Sequence, residues 1–322
     1  MIDFLQELFV SAHTGLFESV VQPLMFHLGF AAYLEMAYSG TEWFLYGLID
    51  LMLLYAVLRP LEGWLPAEAW RDRRAVRVDV LYTLLNWLGV VPLLVFTLLA
   101  VPLAGIDGWL RMHDMIPRQL EDWLPGLNGH PVVSFCIYLV IIDFAEYWRH
   151  RLQHAVPAWW ALHAVHHSQR QLSFWSDNRN HLLDELIAGV WLAMVGLLVG
   201  MPPGQFVMAV IALRSLESLA HANTRLSFGR PGEKLLVGPR FHRVHHGIDL
   251  AQVGAKRGVN FAVLLPLWDV LFGTADFKSP LQATGIEDQL QGRDYGEGFV
   301  RQQVLGVKRM VASLVGRAGA GS

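Results

Sequence analysis

The chain has 322 residues, 53% of them hydrophobic and only 16% charged, with a net charge of −3 and a mean hydropathy of +0.35. Soluble proteins carry about 25% charged residues, so this deficit argues for an integral membrane protein, and so small a net charge argues against nucleic acid as a partner. The single cysteine, Cys136, excludes an intrachain disulfide and any cysteine-ligated zinc or iron–sulfur centre.

The chain opens with "MIDFLQELFV", whose Asp3 and Glu7 take the place of the basic start expected of a cleavable signal peptide. Four apolar stretches then read as membrane helices: 43–58, 79–104, 132–148, and a hairpin over 183–221 that turns at "GMPPGQ". A span needs about 20 residues at 1.5 Å rise, so the hairpin arms either cross or are merely embedded. Between the first two stretches lie Arg59, Arg71, Arg73, Arg74 and Arg77, which the positive-inside rule places in the cytoplasm. The loop 105–130, with Asp107, Asp114, Glu121 and Asp122 against Arg111 and Arg118, then falls outside. The stretch 132–148 returns the chain to the cytoplasmic face. Near the C-terminus, "VRQQVLGVKRMVASLVGR" has the spacing of an amphipathic helix, suited either to the membrane surface or to packing on the same protein. The closing "GRAGAGS" reads as a frayed end.

Histidine carries the chemistry. "LHAVHHSQRQ" and "RFHRVHHGID" each hold an H-x-x-H-H cluster: His163, His166 and His167, then His242, His245 and His246. Random placement of 14 histidines would give about 0.03 such matches. "YWRHRLQHAV" adds His150 and His154, four apart and so on one helical face. In H-x-x-H-H the first and second histidines are expected to share a metal, with the third turned by about 100° toward a neighbouring one. Clustered imidazoles in apolar surroundings are costly unless something pairs them. These eight exceed what one four-coordinate site can use, so a dinuclear centre is expected. His221 is a further candidate ligand, and His181 a ligand or a group bonded to one. Asp143, seven residues before His150, would accept the far N–H of a ligand histidine. The isolated His13, His27, His113 and His130 read as ordinary hydrogen-bonded or interfacial groups. Imidazole suits zinc, copper, iron or nickel, and two metals beneath membrane helices favour redox chemistry with dioxygen over hydrolysis.

At this point the sequence resembles the fatty acid hydroxylase/sterol desaturase superfamily of membrane di-iron enzymes. The resemblance covers about 130–275 and rests on "DFAEYWRHRLQH", "WWALHAVHHSQRQLSFWSDNRNH", His221, "FHRVHHGID" and "NFAVLLPLWDVLFGT". It implies that His150, His154, His163, His166, His167, His242, His245 and His246 bind two irons, with His221 a ninth ligand. Arg179 and His181 match an Arg-x-His element that follows the middle cluster in many bacterial members. Ser173, Ser176 and Ala262 depart from the pattern, which blurs the substrate rather than the chemistry.

The expected architecture is therefore an all-α integral membrane bundle of about four membrane helices, with a cytoplasmic-side helical cap holding a histidine-rich dinuclear site. It divides into N-terminal membrane helices and loops (1–130), a catalytic domain (131–275) and an amphipathic tail (276–322). The expected activity is O2-dependent, di-iron hydroxylation of a lipid C–H bond on a fatty-acyl, alkyl glycerol, aminolipid or sterol-like substrate. A desaturase on the same centre is the alternative. Metal binding or transport is a third reading, disfavoured because the histidines lie at helix ends rather than along the spans. Asp143, Arg179 and His181 are the candidate catalytic residues beside the metal. Zinc could replace iron in a purified sample. With no cytochrome b5- or ferredoxin-like segment in the sequence, electrons are expected from a separate cytoplasmic donor of that kind.

Overall fold

The computed structural model describes residues 2–70, 73–115, 117–248, 258–281 and 283–316. Arg71 of the basic loop, the side chains of Arg73 and Arg74, and 317–322 of the expected frayed end lie outside the described residues.

Among the described residues the regular elements are helices, and β pairing is limited to an isolated bridge between Gly247 and Thr284. The helices used below are α1 (Ile2–Leu16), α2 (Leu34–Trp64), α3 (Arg73–Trp87), α4 (Val90–Met112), α5 (Pro131–Ala155), α6 (Pro157–His167), α7 (Leu182–Leu198), α8 (Pro203–His221), α9 (Pro239–His245), α10 (Leu267–Leu271) and α11 (Phe299–Leu314). Proline opens α5, α6, α8 and α9, at the one helical position where a missing N–H costs nothing and the fixed φ helps.

Three helical stretches are long and apolar enough to cross a membrane: Ala31–Trp64, Val90–Met112 and Pro131–Ala155. The shortest, α4, has 23 residues. At 1.5 Å rise that is about 35 Å, enough for a hydrocarbon core of about 30 Å. Their outer faces leave Met52, Leu53, Val57, Phe96, Val101 and Val132 exposed, apolar surface that lipid rather than water solvates.

Two of the expected spans change. The stretch 79–104 is not one helix, because Gly89 at φ +78° breaks it between α3 and α4. Only glycine takes that left-handed conformation freely, so the span moves to Val90–Met112. Close approach explains a second glycine: a Cβ on Gly47 of α2 would lie 1.7 Å from the Trp87 carbonyl oxygen, so α2 packs directly over the end of α3. The stretch 183–221 does form a hairpin, α7 and α8, but neither arm is among the three candidate spans.

Helix α5 is the central post. Its Tyr138 and Ile142 pack with Ala209 and Leu213 of α8 and with Val263 and Leu264. One to two turns later Tyr147 joins Ala220, Phe241, Phe261 and Ala262. The tail packs on the protein: α11 lies along α6, and just before it the Tyr295 hydroxyl donates to the Ala161 carbonyl at 2.6 Å.

Candidate metal centre

Nine buried histidines meet where four helices end. His150 and His154 occupy the last turns of α5, while His163, His166 and His167 close α6. His221 is the last residue of α8, and His242, His245 and the capping His246 finish α9. Each helix C-terminus carries a partial negative charge, so four converging ends favour a cation.

The nine divide into two groups, within each of which the candidate ligand nitrogens all lie within 4.8 Å of one another. One contains His150, His154, His163, His167 and His245; the other contains His166, His221, His242 and His246. Both H-x-x-H-H clusters therefore split differently from the expectation above. The pair four apart stays together (His163 with His167, His242 with His246) and the histidine between them crosses over. The reason is angular: four residues advance a helix by 400°, leaving a 40° offset, whereas three leave about 60° in the opposite direction. Each cluster thus serves both groups.

Hydrogen bonds select the ring tautomers. The Nδ1–H of His150 donates to the Phe261 carbonyl at 2.8 Å, that of His245 to Val259 at 2.7 Å and that of His221 to Glu217 at 2.8 Å. A carbonyl only accepts, so in these neutral rings Nε2 keeps its lone pair. His163 Nδ1 faces the Asp184 carboxylate at 3.3 Å, with the same consequence.

The inward nitrogens then lack enough protons. His221 Nε2 lies 3.1 Å from His166 Nε2 and 3.0 Å from His242 Nε2, and His242 Nε2 is also 3.1 Å from His246 Nε2. One in-plane lone pair cannot accept two N–H donors, nor can one N–H serve two acceptors equally. In the other group, His245 Nε2 and His167 Nε2 are 3.1 Å apart, and His150 Nε2, His163 Nε2 and both nitrogens of His154 have no hydrogen-bond partner. Protonating the rings is no remedy. Burial lowers the pKa of His166, His167, His242 and His246 and takes His245 to about 3, with nearby imidazoles reinforcing the shift; burial also lowers that of His163, where the Asp184 carboxylate opposes it. Neutral imidazoles with shared lone pairs fit a metal ion in each group.

A carboxylate missed in the sequence supports one group. Asp184, in the first turn of α7, accepts from both the Gln153 side chain (2.9 Å to each oxygen) and the Trp159 indole (2.6 Å), besides facing His163. Its signal in the sequence is its position, three residues after His181 in the first turn of α7, rather than any motif.

The structure brings Asp143, Arg179 and His181 into neither histidine group. Asp143 bonds the backbone N–H groups of Leu264 and Leu265 and the Trp268 indole, at 2.8, 3.1 and 2.7 Å, rather than the far nitrogen of a histidine. It thereby fixes the strand of chain whose Phe261 carbonyl holds His150, acting two links away from the expected contact. Asp269 of α10 fixes the same segment from its other end, through the N–H groups of Phe261 and Ala262. Arg179 pairs with Asp79 of α3 at 3.1 Å. His181 caps α7, accepting from Leu183 N at 3.0 Å, while its other nitrogen donates to the Gln303 carbonyl at 2.8 Å. Its ring is spent on scaffold. His221, by contrast, stands inside the second group.

Residues 135–274 match the fatty acid hydroxylase family. The chain is 32% identical to ornithine lipid hydroxylase OlsE of Rhizobium tropici over 165 residues, 51% of this chain and 47% of the relative. It is 29% identical to alkylglycerol monooxygenase of Homo sapiens over 145 residues (45% and 31% of the two chains). Against methylsterol monooxygenase 1-3 of Arabidopsis thaliana it is 26% identical over 148 residues (44% and 48%). The chain spans about half or less of the length of these curated relatives. No solved structure matches it.

Proposed function

We propose that this chain, whose residues 135–274 match the fatty acid hydroxylase family, is a membrane monooxygenase that hydroxylates a lipid C–H bond at a di-iron centre. The observation that carries this reading is the pair of histidine groups with unprotonated inward nitrogens. Its relatives hydroxylate or monooxygenate ornithine lipids, alkylglycerols and methylsterols by name, which supports a lipid substrate. The balance is R–H + O2 + 2 e⁻ + 2 H⁺ → R–OH + H2O.

His150, His154, His163, His167 and His245 would hold one ion, and His166, His221, His242 and His246 the other. Five nitrogens exceed the four of a tetrahedral zinc site, which favours a metal that takes five or six ligands, as iron does. When bound, such a pair of irons supplies the activation of O2 needed to attack an unactivated C–H bond. The chain's own part is preorganisation. Carbonyls of Phe261, Val259 and Glu217 hold three rings in the Nε2-ligating tautomer, and Asp184 raises the basicity of His163. The Trp160 ring against His154 and the Phe261 ring against His150, His154 and His245 exclude water from the centre. Electrons would come from a separate ferredoxin- or cytochrome b5-like donor on the cytoplasmic face, a side supported by the arginines between the first two apolar stretches.

The test is elemental analysis of detergent-purified protein from iron-supplied cells. About two irons per chain are expected on this reading; one metal or none in a folded sample overturns it. Two zincs would leave the two sites standing and remove the support for iron.

A further inference from the structure

Helix α11 is amphipathic in the opposite sense to a helix folded in water. Its inward face is held largely by polar groups. The Gln302 side chain accepts from the Tyr82 hydroxyl and that of Gln303 donates to it, at 3.0 Å each. Gly306 lies against the His181 ring, and Arg309 pairs with Asp288 at 2.9 Å. Leu305 adds an apolar contact to the cluster of Ala164, Val165 and Tyr295.

The outward face is apolar. Val300, Val304, Val307, Val311, Leu314 and Val315 are all exposed, Val300 by 71% and Leu314 by 68%. The first five are spaced by four, three, four and three residues, so they form one stripe, which Val315 widens. At 100° per residue the six fall within about 100° of arc, and the exposed Arg301 and Lys308 flank them along one edge. A helix on a water-soluble protein turns such a stripe toward the core.

What covers the stripe follows from where α11 is anchored. The ring of Phe299, its first residue, stacks at 4.8 Å between centroids on Tyr82 of α3. Tyr82 stands eight residues, about 12 Å of helix, before Val90, where the span α4 begins. Between them α3 exposes Leu84, and α4 continues with exposed Val90, Leu93 and Phe96. The stripe therefore starts beside surface that the bilayer already solvates. A second copy fits worse, because two stripes packed antiparallel would set the Arg301 and Lys308 edge against itself. At a bilayer the same two stems lie along apolar surface while their charged heads reach the lipid phosphates.

We infer that α11 is an in-plane membrane helix, its outer stripe seated in the bilayer interface on the histidine side of the membrane. Its inner face carries α6, and with it His163, His166 and His167, at a fixed depth. Packed helices stand about 8–10 Å apart, which puts α6 about one helix diameter from the interface. Helix α5 gives a similar depth by another route. Phe144 is its last exposed large apolar side chain, and His150 follows six residues, about 9 Å, later. This inference goes beyond the hydroxylase reading and does not depend on it.

The test uses the full chain in vesicles of phosphatidylethanolamine and phosphatidylglycerol. Cys136→Ser removes the single natural thiol, and a nitroxide is placed at Val304→Cys, Val307→Cys or Val311→Cys in turn. Gln291→Cys, exposed in the polar segment before α11, is the reference. Labels on the stripe should collide freely with dissolved O2 but several-fold less than the reference with a water-soluble nickel chelate. All four labelled chains should keep the unfolding temperature of the unlabelled protein, since each substitution is on the surface. Nickel collision equal to the reference means that the stripe faces water and overturns the inference. Shielding from both O2 and nickel, with spin–spin broadening between chains, means that a second copy covers it and overturns the inference equally.

Discussion

Two buried polar regions of this protein are built from opposite materials. The metal centre is nine histidines with too few protons among them. The other region ties the N-terminal helices to the histidine-bearing segments with carboxylates that are mostly paired. Glu62 of α2 accepts from the N–H groups of Phe174 and Asn223 at 2.9 Å each. Asn223 exchanges hydrogen bonds with the Glu68 backbone at 3.0 and 2.9 Å, and Glu68 pairs with Arg243, inside the last histidine cluster. Asp79 pairs with Arg179, and the Thr83 hydroxyl donates to the Trp175 carbonyl at 2.9 Å. Each of these side chains keeps at least one buried partner, although Glu62 Oε2, Arg179 Nε and one Arg243 terminal nitrogen have none. His154, by contrast, has no partner on either nitrogen and sits among other unpartnered imidazoles; such a gathering marks where something binds. The first 130 residues thus hold the histidine-bearing segments in place without contributing a histidine to the centre.

The largest effect that would break this division is loss of a ligand. His221→Ala should lower metal content from two toward one per chain and abolish product formation, because it removes the nitrogen lying against both His166 and His242. Retention of both metals and full activity would move His221 into the scaffold. Next comes the carboxylate tie. Glu62→Ala strands two buried N–H groups at about 1–3 kcal/mol each. A drop of several degrees in Tm is expected, with metal per folded chain unchanged, read by calorimetry and elemental analysis on the same preparation. Loss of metal at unchanged Tm would refute the assignment.

Asp184→Asn should act between the two. The Asn side chain can still accept from Gln153 or Trp159 but no longer offers His163 a negative partner. Metal affinity should fall about 10- to 100-fold, measured by competition with a chelator, with a smaller change in Tm than for Glu62→Ala. An unchanged affinity would mean that Asp184 serves only to join α5, α6 and α7.

The same contrast explains what could be read in the sequence. The histidine clusters were legible because helix periodicity places residues three and four apart together, and all nine candidate ligands do meet. Their partition was not, since 40° and 60° offsets are too close to rank without the neighbouring helices. Apolar stretches gave the helices of the bundle, but the break at Gly89 hides in an apolar run where glycine is unremarkable until its φ is known. Asp143 shares a helical face with His150 in the sequence, yet its partners are 121, 122 and 125 residues away. Glu62, Asp79 and Asp184 carry no sequence signal for the same reason. Each is a single carboxylate with no local pattern, and its meaning comes entirely from distant chain.

His181 gives the smallest and most discriminating test, because by sequence it stood beside His221 as a possible ligand. In the structure its Nδ1 caps α7 and its Nε2–H reaches the Gln303 carbonyl of α11, while a Cβ on Gly306 would sit 2.5 Å from its ring, so α11 lies flat against it. His181→Ala should therefore cost about 0.5–2 kcal/mol for the lost cap, and somewhat more for the contact to α11, with both metals retained. His181→Asn, which keeps a capping oxygen, should recover the cap but not the contact. A ligand would behave differently: both substitutions would release metal, and neither would be rescued by a capping side chain. Stability that follows capping ability at constant metal content places His181 with the scaffold; metal loss in both variants places it at the centre.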